Sequence, residues 1–111
     1  MAKLVRAMIR EDKVDAVVTA LERAGVDGVT VTMAQGRGRH TPLGSFRGHT
    51  YRALLPIAVI DVLTTCECAE EVARILLECA HTGHHGDGHV LILDVDQRIS
   101  VRTRWLDGAR T

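Results

Sequence analysis

Eight residues, Thr82-Gly83-His84-His85-Gly86-Asp87-Gly88-His89, separate an amphipathic helical stretch from the apolar run Val90-Leu91-Ile92-Leu93. Three glycines in so short a link restrict what the link can be. Gly83 is placed to stop the helix in a left-handed turn. Gly86 and Gly88 let successive backbone N–H groups point into one concavity, a nest of the kind that holds phosphate oxygens. A second glycine-rich turn, Gly36-Arg37-Gly38-Arg39, follows another strand-like run, so the chain carries two candidate anion cradles.

The remaining periodicities place these cradles in a fold. Residues 3–9 form a short extended run with apolar surface on both faces. Asp12 can cap a helix in which Val14, Val17, Val18 and Leu21 recur at helical spacing, and Gly25 ends it. Val29, Val31 and Met33 alternate with Thr30 and Thr32, the period of a strand. From Gly36 to about Ala53 neither period is present. Residues 54–63 are apolar except Asp61 and read as a strand. Thr64 and Glu67 have capping-box spacing, and Val72, Ile75, Leu76 and Cys79 make the next helical stripe. A strand over 90–95 and a short final one over 99–103 complete the order. The tail, residues 104–111, carries Trp105.

Two strand-helix-strand halves joined by a long loop fit an α+β, ferredoxin-like βαββαβ sandwich, a single domain over 1–111. A sheet with one wet face should alternate apolar and polar residues, yet 54–60 and 90–93 do not. The open face is therefore expected to pack against other copies of the chain. The loop, about residues 37–53, is longer than compact domains usually tolerate without a function. A ligand at the turn from which it departs would order or release it.

Composition narrows the partners. Fourteen basic residues balance fourteen acidic ones, so no nucleic-acid or membrane surface is indicated. Only 3% of residues are aromatic, which argues against base-stacking platforms. No run is long and apolar enough to span a bilayer, the first residues lack a signal-peptide pattern, and three cysteines read as reduced thiols. A cytoplasmic location is the expectation, with membrane contact only through a partner.

With these residues in place, the chain resembles the PII signal-transduction proteins. The resemblance rests on the long loop after Gly36-Arg37-Gly38-Arg39, on Phe46-Arg47-Gly48-His49-Thr50-Tyr51, on Leu55-Pro56, on Thr82-Gly83-x-x-Gly86-Asp87-Gly88 and on Val101-Arg102-Thr103. It implies a trimer that binds ATP or ADP in clefts between subunits, often with 2-oxoglutarate and magnesium, and docks its long loop onto channels, enzymes or regulators. It implies Gly36, Gly38 and Arg39 beside the phosphates, Gly86, Asp87, Gly88 and His89 around their other side, Arg102 reaching in, and Thr30 and Leu63 near the adenine.

Departures from the family pattern qualify the ligand. The usual lysine after Leu-Pro is Ile57, the lysine after Gly-Asp-Gly is His89, and the first of two late arginines is Ser100. Three lost fixed cations weaken attraction for a polyphosphate, and His89 supplies charge only when protonated. The expectation is a preference shifted from ATP toward ADP, AMP or another small anion. His40 stands where the family has the glutamine that helps bind the magnesium-linked oxoacid, so with Ile57 the usual 2-oxoglutarate site lacks two side chains. Tyr51 matches a tyrosine that some members have uridylylated, but its neighbours His49 and Thr50 differ from the usual pair.

The competing reading is a metal-binding trimer, similar in architecture to the CutA proteins, using His81, His84, His85 and His89. Imidazoles so spaced can bind zinc, copper or nickel, but no Cys-x-x-Cys or His-Glu-x-x-His pattern defines a site. Cys66 and Cys68 flank a helix start that can stabilise a thiolate, the basis of a redox switch, but read first as small residues filling the helix-entry turn, and Cys79 reads as core. No serine, histidine and carboxylate make a recognisable catalytic motif, so the chain reads as a regulator and not an enzyme.

Overall fold

The computed structural model describes residues 1–38 and 43–104. In chain order these form β1 (Ala2–Arg10), a 3-10 turn (Glu11–Lys13), α1 (Val14–Arg23), β2 (Thr30–Gly36), β3 (Leu43–Phe46) and β4 (His49–Arg52). They are followed by β5 (Leu55–Thr65), α2 (Cys66–Ala80) and β6 (His89–Asp94). Four strands make one antiparallel sheet in the order β2-β5-β1-β6, and β3 and β4 pair as a separate hairpin. Apart from the hairpin, this is the expected ferredoxin-like βαββαβ arrangement.

Strand alternation divides the sheet. Val5, Ala7 and Ile9 of β1 and Ala58, Ile60 and Val62 of β5 are buried beneath the helices. Val17 and Leu21 of α1 and Val72 and Leu76 of α2 close over them. Each large aliphatic side chain so enclosed contributes about 1.5–3 kcal/mol. Truncating Leu76, which is fully buried, would cost about 2–5 kcal/mol.

The opposite face is apolar but uncovered. The strand register sets Leu93, Leu4 and Leu63 in one cross-strand row, then Leu91, Arg6, Asp61 and Thr30, then His89, Met8, Val59 and Thr32. Leu63, Leu91 and Leu93 are exposed. Arg6 grips Asp61 in the middle of this surface through two bonds, Nε to Oδ1 at 2.8 Å and Nη2 to Oδ2 at 3.0 Å.

Several local expectations are corrected. The first helix begins with a 3-10 turn and has no side-chain cap, so Asp12 does not cap it. Its end does use Gly25: the Gly25 N–H bonds Glu22 O and the Val26 N–H bonds Leu21 O, both at 3.0 Å, with Gly25 at φ +85°. That is the two-bond termination a left-handed glycine permits. The second helix starts after Thr65, not Thr64, because β5 keeps pairing with β1 as far as Thr65 opposite Ala2. Thr65, the N-cap, makes no side-chain cap bond, so the expected capping box does not form. Glu67, two residues on, is held below the ordinary glutamate pKa by its own backbone N–H and the Thr65 side chain.

The second helix ends at Ala80 with His81 extended, three residues before Gly83. Gly83 does adopt a left-handed conformation, φ +88°, but inside the loop. Within the segment expected to lack strands, β3 and β4 form a hairpin around Arg47 at φ +52° and Gly48 at φ +79°. Two consecutive positive φ values are the signature of the two-residue turn that matches strand twist. Of the expected last strand over 99–103 only an isolated β-bridge at Ile99 forms, followed by a turn at 101–103, and Val101 is 94% exposed. Of the tail, residues 105–111, including Trp105, lie outside the described residues.

Candidate functional site

The link between α2 and β6 folds around one carboxylate. Asp87 accepts the Thr82 N–H at 2.7 Å and the Gly83 N–H at 2.9 Å, both on Oδ2, and the Thr82 hydroxyl on Oδ1. Thr82 in turn accepts the His84 N–H on Oγ1 at 3.1 Å. These contacts hold Asp87 well below the ordinary aspartate value, with the Thr82 hydroxyl and then the Thr82 N–H as the main causes, opposed by partial burial. Gly83 and Arg10 add to the depression. The carboxylate therefore stays ionised through the neutral range and acts as the internal hub of the loop.

The sheet supplies the loop's other attachment. Arg10, at the end of β1, donates from Nε to Asp87 Oδ1 at 3.1 Å and from Nη2 to the His85 carbonyl at 2.6 Å. Gly86 and Gly88 take positive φ values, +94° and +96°. Gly86 lies beneath the Arg10 guanidinium, 3.3 Å from Nη2 to where a Cβ would stand. Behind the loop, Ile9, Leu77, Ala80, His89 and Val90 help line a small crevice of about 140 Å³.

The first glycine turn sits elsewhere on the sheet. Gly36 ends β2 opposite Leu55, and its hydrogen side faces Ile57, whose Cδ1 is 3.2 Å from a Cβ built on Gly36. Arg10 pairs with Ile57, and Met8 with His89, so Gly36 and the 82–88 loop belong to the same end of the sheet. They are on opposite edges, because β5 and β1 intervene. Three strand spacings of about 4.8 Å separate them by roughly 14 Å.

Thr30 and Leu63 lie toward the other end. They line a cleft of about 840 Å³ with Gly28, Asp61, Thr65 and Arg98. Arg102 occupies an exposed turn after β6, and the C-terminal end of β6 lies beside Lys3, away from the loop. Arg39 and His40 lie outside the described residues, whereas the Tyr51 backbone pairs with Gly44 in the hairpin. A single chain thus brings Thr30 to Leu63, and Gly86 to Asp87, Gly88 and His89, without joining these groups to Gly36.

Sequence reasoning missed Arg10, which is 77 residues from Asp87 and belongs to no local motif. It also missed Arg98 in the Thr30 cleft. Register arguments could have placed Arg10 near the loop only after the β1–β6 pairing was known. Among the described residues, no group of three or more histidine, cysteine or acidic side chains is arranged to hold a metal ion. The cluster of His81, His84, His85 and His89 does not form such a group. Among the same residues no helix is long and apolar enough to cross a membrane.

Comparison with known proteins gives a consistent pattern. A family model described as nitrogen regulatory protein P-II matches residues 2–105. Nitrogen regulatory protein P-II 2 of Methanothermobacter thermautotrophicus is 40% identical over 103 residues, covering 91% of this chain and 90% of that protein. Nitrogen regulatory protein GlnK2 of Haloferax mediterranei is 42% identical over 103 residues, covering 91% of this chain and 84% of the relative. A crystal structure of Arabidopsis thaliana PII bound to citrate superposes with a TM-score of 0.77 at 25% identity, covering 96% of this chain and 86% of that one.

Proposed function

The chain belongs to the nitrogen regulatory protein P-II family, and on that premise we propose that it is a homotrimeric signalling protein of the cytoplasm. It binds an adenine nucleotide, ADP, AMP or ATP, in clefts between subunits and controls a target protein through its long loop, about residues 37–53. The observation that carries this reading is the separation of the two glycine cradles. Gly36 and the 82–88 loop share one end of the sheet but stand on opposite edges, so one phosphate chain meets both only where the edge of one copy adjoins that of another. The uncovered apolar face of Leu4, Leu63, Leu91 and Leu93 supports the same association.

In this arrangement Thr30 and Leu63 take the adenine side, with Gly36, Gly38 and Arg39 at the base of the loop. Gly86, Gly88 and His89 supply the opposing wall, Asp87 shapes that wall through its four contacts, and Arg102 adds a cation from a neighbouring segment. The family is regulatory, so the function is read as sensing and not catalysis. His40 and Tyr51 belong to the loop that a partner reads. The citrate-bound relative shows that a protein of this fold takes a multivalent anion, which fits an anion-directed site here.

Isothermal titration of dialysed protein with ADP, ATP and AMP, with and without 2-oxoglutarate and magnesium, tests the proposal. Saturation near one nucleotide per subunit, with ADP or AMP at least matching ATP, is expected. Absence of heat with all three would overturn it, and nanomolar ATP binding with strong 2-oxoglutarate synergy would overturn the shift in preference away from ATP.

A further inference from the structure

We propose that Arg10 is a positioning residue for ligand binding: by pinning Asp87 and the His85 carbonyl to the end of β1, it sets the orientation of the 82–88 glycine loop against the sheet. The inference rests on the nucleotide-binding reading of that loop and adds to it a residue that no loop motif contains.

Two sets of contacts have different roles. The bonds from Thr82 and Gly83 to Asp87 are local and close the loop on itself. They do not fix the closed loop relative to the strands. Arg10 does so from 75 and 77 residues away, donating Nη2 to His85 O at 2.6 Å and Nε to Asp87 Oδ1 at 3.1 Å. A glycine-rich segment loses much conformational freedom when ordered, so a cross-link of this kind determines how much ordering remains for a ligand to impose. The guanidinium also lies against Gly86, where a side chain would meet Nη2 at 3.3 Å. The glycine therefore serves the arginine as well as the backbone turn.

The chemistry requires arginine. One planar group reaches a carboxylate and a carbonyl together in a fixed fork, whereas a lysine ammonium is a single compact charge on a flexible stem. If Arg10 acted only as a nearby cation for phosphate, lysine would replace it and its contribution would be independent of Asp87.

The test is a cycle of Arg10→Gln, Arg10→Lys, Asp87→Asn and the double variant Arg10→Gln/Asp87→Asn, measured by ADP titration and by amide hydrogen exchange of the ligand-free protein. Arg10→Gln is expected to weaken ADP about tenfold, with Arg10→Lys restoring little. The double variant should be no weaker than the worse single one. In the ligand-free protein, exchange at Thr82 and Gly83 should quicken in both Arg10 variants, because Arg10 holds the carboxylate that accepts both N–H groups, while core strand amides stay protected.

Full affinity in Arg10→Lys, multiplying effects in the double variant, or unchanged exchange at Thr82 and Gly83 would each overturn the inference. If the unsubstituted protein binds no nucleotide, the nucleotide reading falls by itself, and exchange alone then decides the brace: faster exchange supports it and unchanged exchange overturns it.

Discussion

Gly88 lies so close to β1 that a Cβ on it would come within 1.7 Å of the Met8 carbonyl oxygen. It also holds φ at +96°, so a side chain there meets both backbone strain and a backbone clash that no rotamer relieves. Gly88→Ala should therefore lose about 3 kcal/mol of stability or more, read as a lower urea midpoint. Gly36→Ala meets only the flexible end of Ile57 at 3.2 Å and should cost under about 1 kcal/mol. Equal losses in the two variants would show that the loop does not rest on β1 as described.

Asp87 gives the loop a pH dependence of defined sign. Its folded-state value lies below the ordinary aspartate value of 3.8, chiefly because of the Thr82 hydroxyl. A depressed carboxylate contributes stability that is fully present above the unfolded value and fades as pH falls toward the folded one. Unfolding should thus show Asp87→Asn less stable than the parent at pH 6–7. The gap should close progressively below about pH 4. A gap that is constant from pH 7 to pH 3 would contradict the hydrogen-bonded carboxylate.

The Arg6–Asp61 pair makes a separate prediction about assembly. The side chains are 41% and 23% exposed in one chain, where such a pair contributes little. In the proposed trimer another copy covers this face, so that removing one member leaves the other charged and desolvated. Asp61→Leu alone should raise the protein concentration at half-assembly by roughly tenfold or more. Arg6→Met with Asp61→Leu should recover it, because a matched apolar pair leaves no orphan charge. Light scattering across a dilution series distinguishes these outcomes, and an unaffected Asp61→Leu trimer would place the pair outside the interface.

Arg47 occupies a conformation it does not favour, φ +52°, beside Gly48 at φ +79°. Asn-Gly is the preferred pair for this turn, so Arg47→Asn should stabilise the β3–β4 hairpin by about 0.5 kcal/mol. The expected readout is slower exchange of the hairpin amides with no change elsewhere in the sheet.

That turn also shows where the sequence was legible and where it was not. Patterns carried by burial were readable in the helices: Val17 and Leu21, and Val72 and Leu76, follow from one apolar face meeting one core, whereas β1 and β5 are apolar on both faces in sequence and only the structure shows which side is buried. Arg47-Gly48 lacked the asparagine that usually announces a hairpin, so β3 and β4 were hidden. The glycine loop was visible as a motif, and Gly83 has the predicted left-handed backbone, though inside the loop. Its hub was not visible, because nothing local shows that Asp87 will consume the Thr82 and Gly83 N–H groups. Arg10 and Arg6 depend on strand register, which periodicity leaves open until the pairing of β1 with β5 and β6 is known.

Register also makes the ligand preference testable. Ile57 stands opposite both Arg10 and Ala34 and its methyl end lies against Gly36, so this position presents hydrocarbon, while the neighbouring Arg10 is already engaged by Asp87 and the His85 carbonyl. A dicarboxylate brought there would lose hydration without a charge-assisted bond in return. Adding 2-oxoglutarate with magnesium should therefore leave the nucleotide affinity of this protein unchanged within about twofold. Ile57→Lys combined with His40→Gln supplies a cation and an amide in their place, and should introduce synergy of about tenfold. The matched titrations are nucleotide alone and nucleotide with 2-oxoglutarate, for each protein. Strong synergy in the parent would mean that the oxoacid is held by other groups, and none in the double variant would show that Ile57 and His40 do not set the preference.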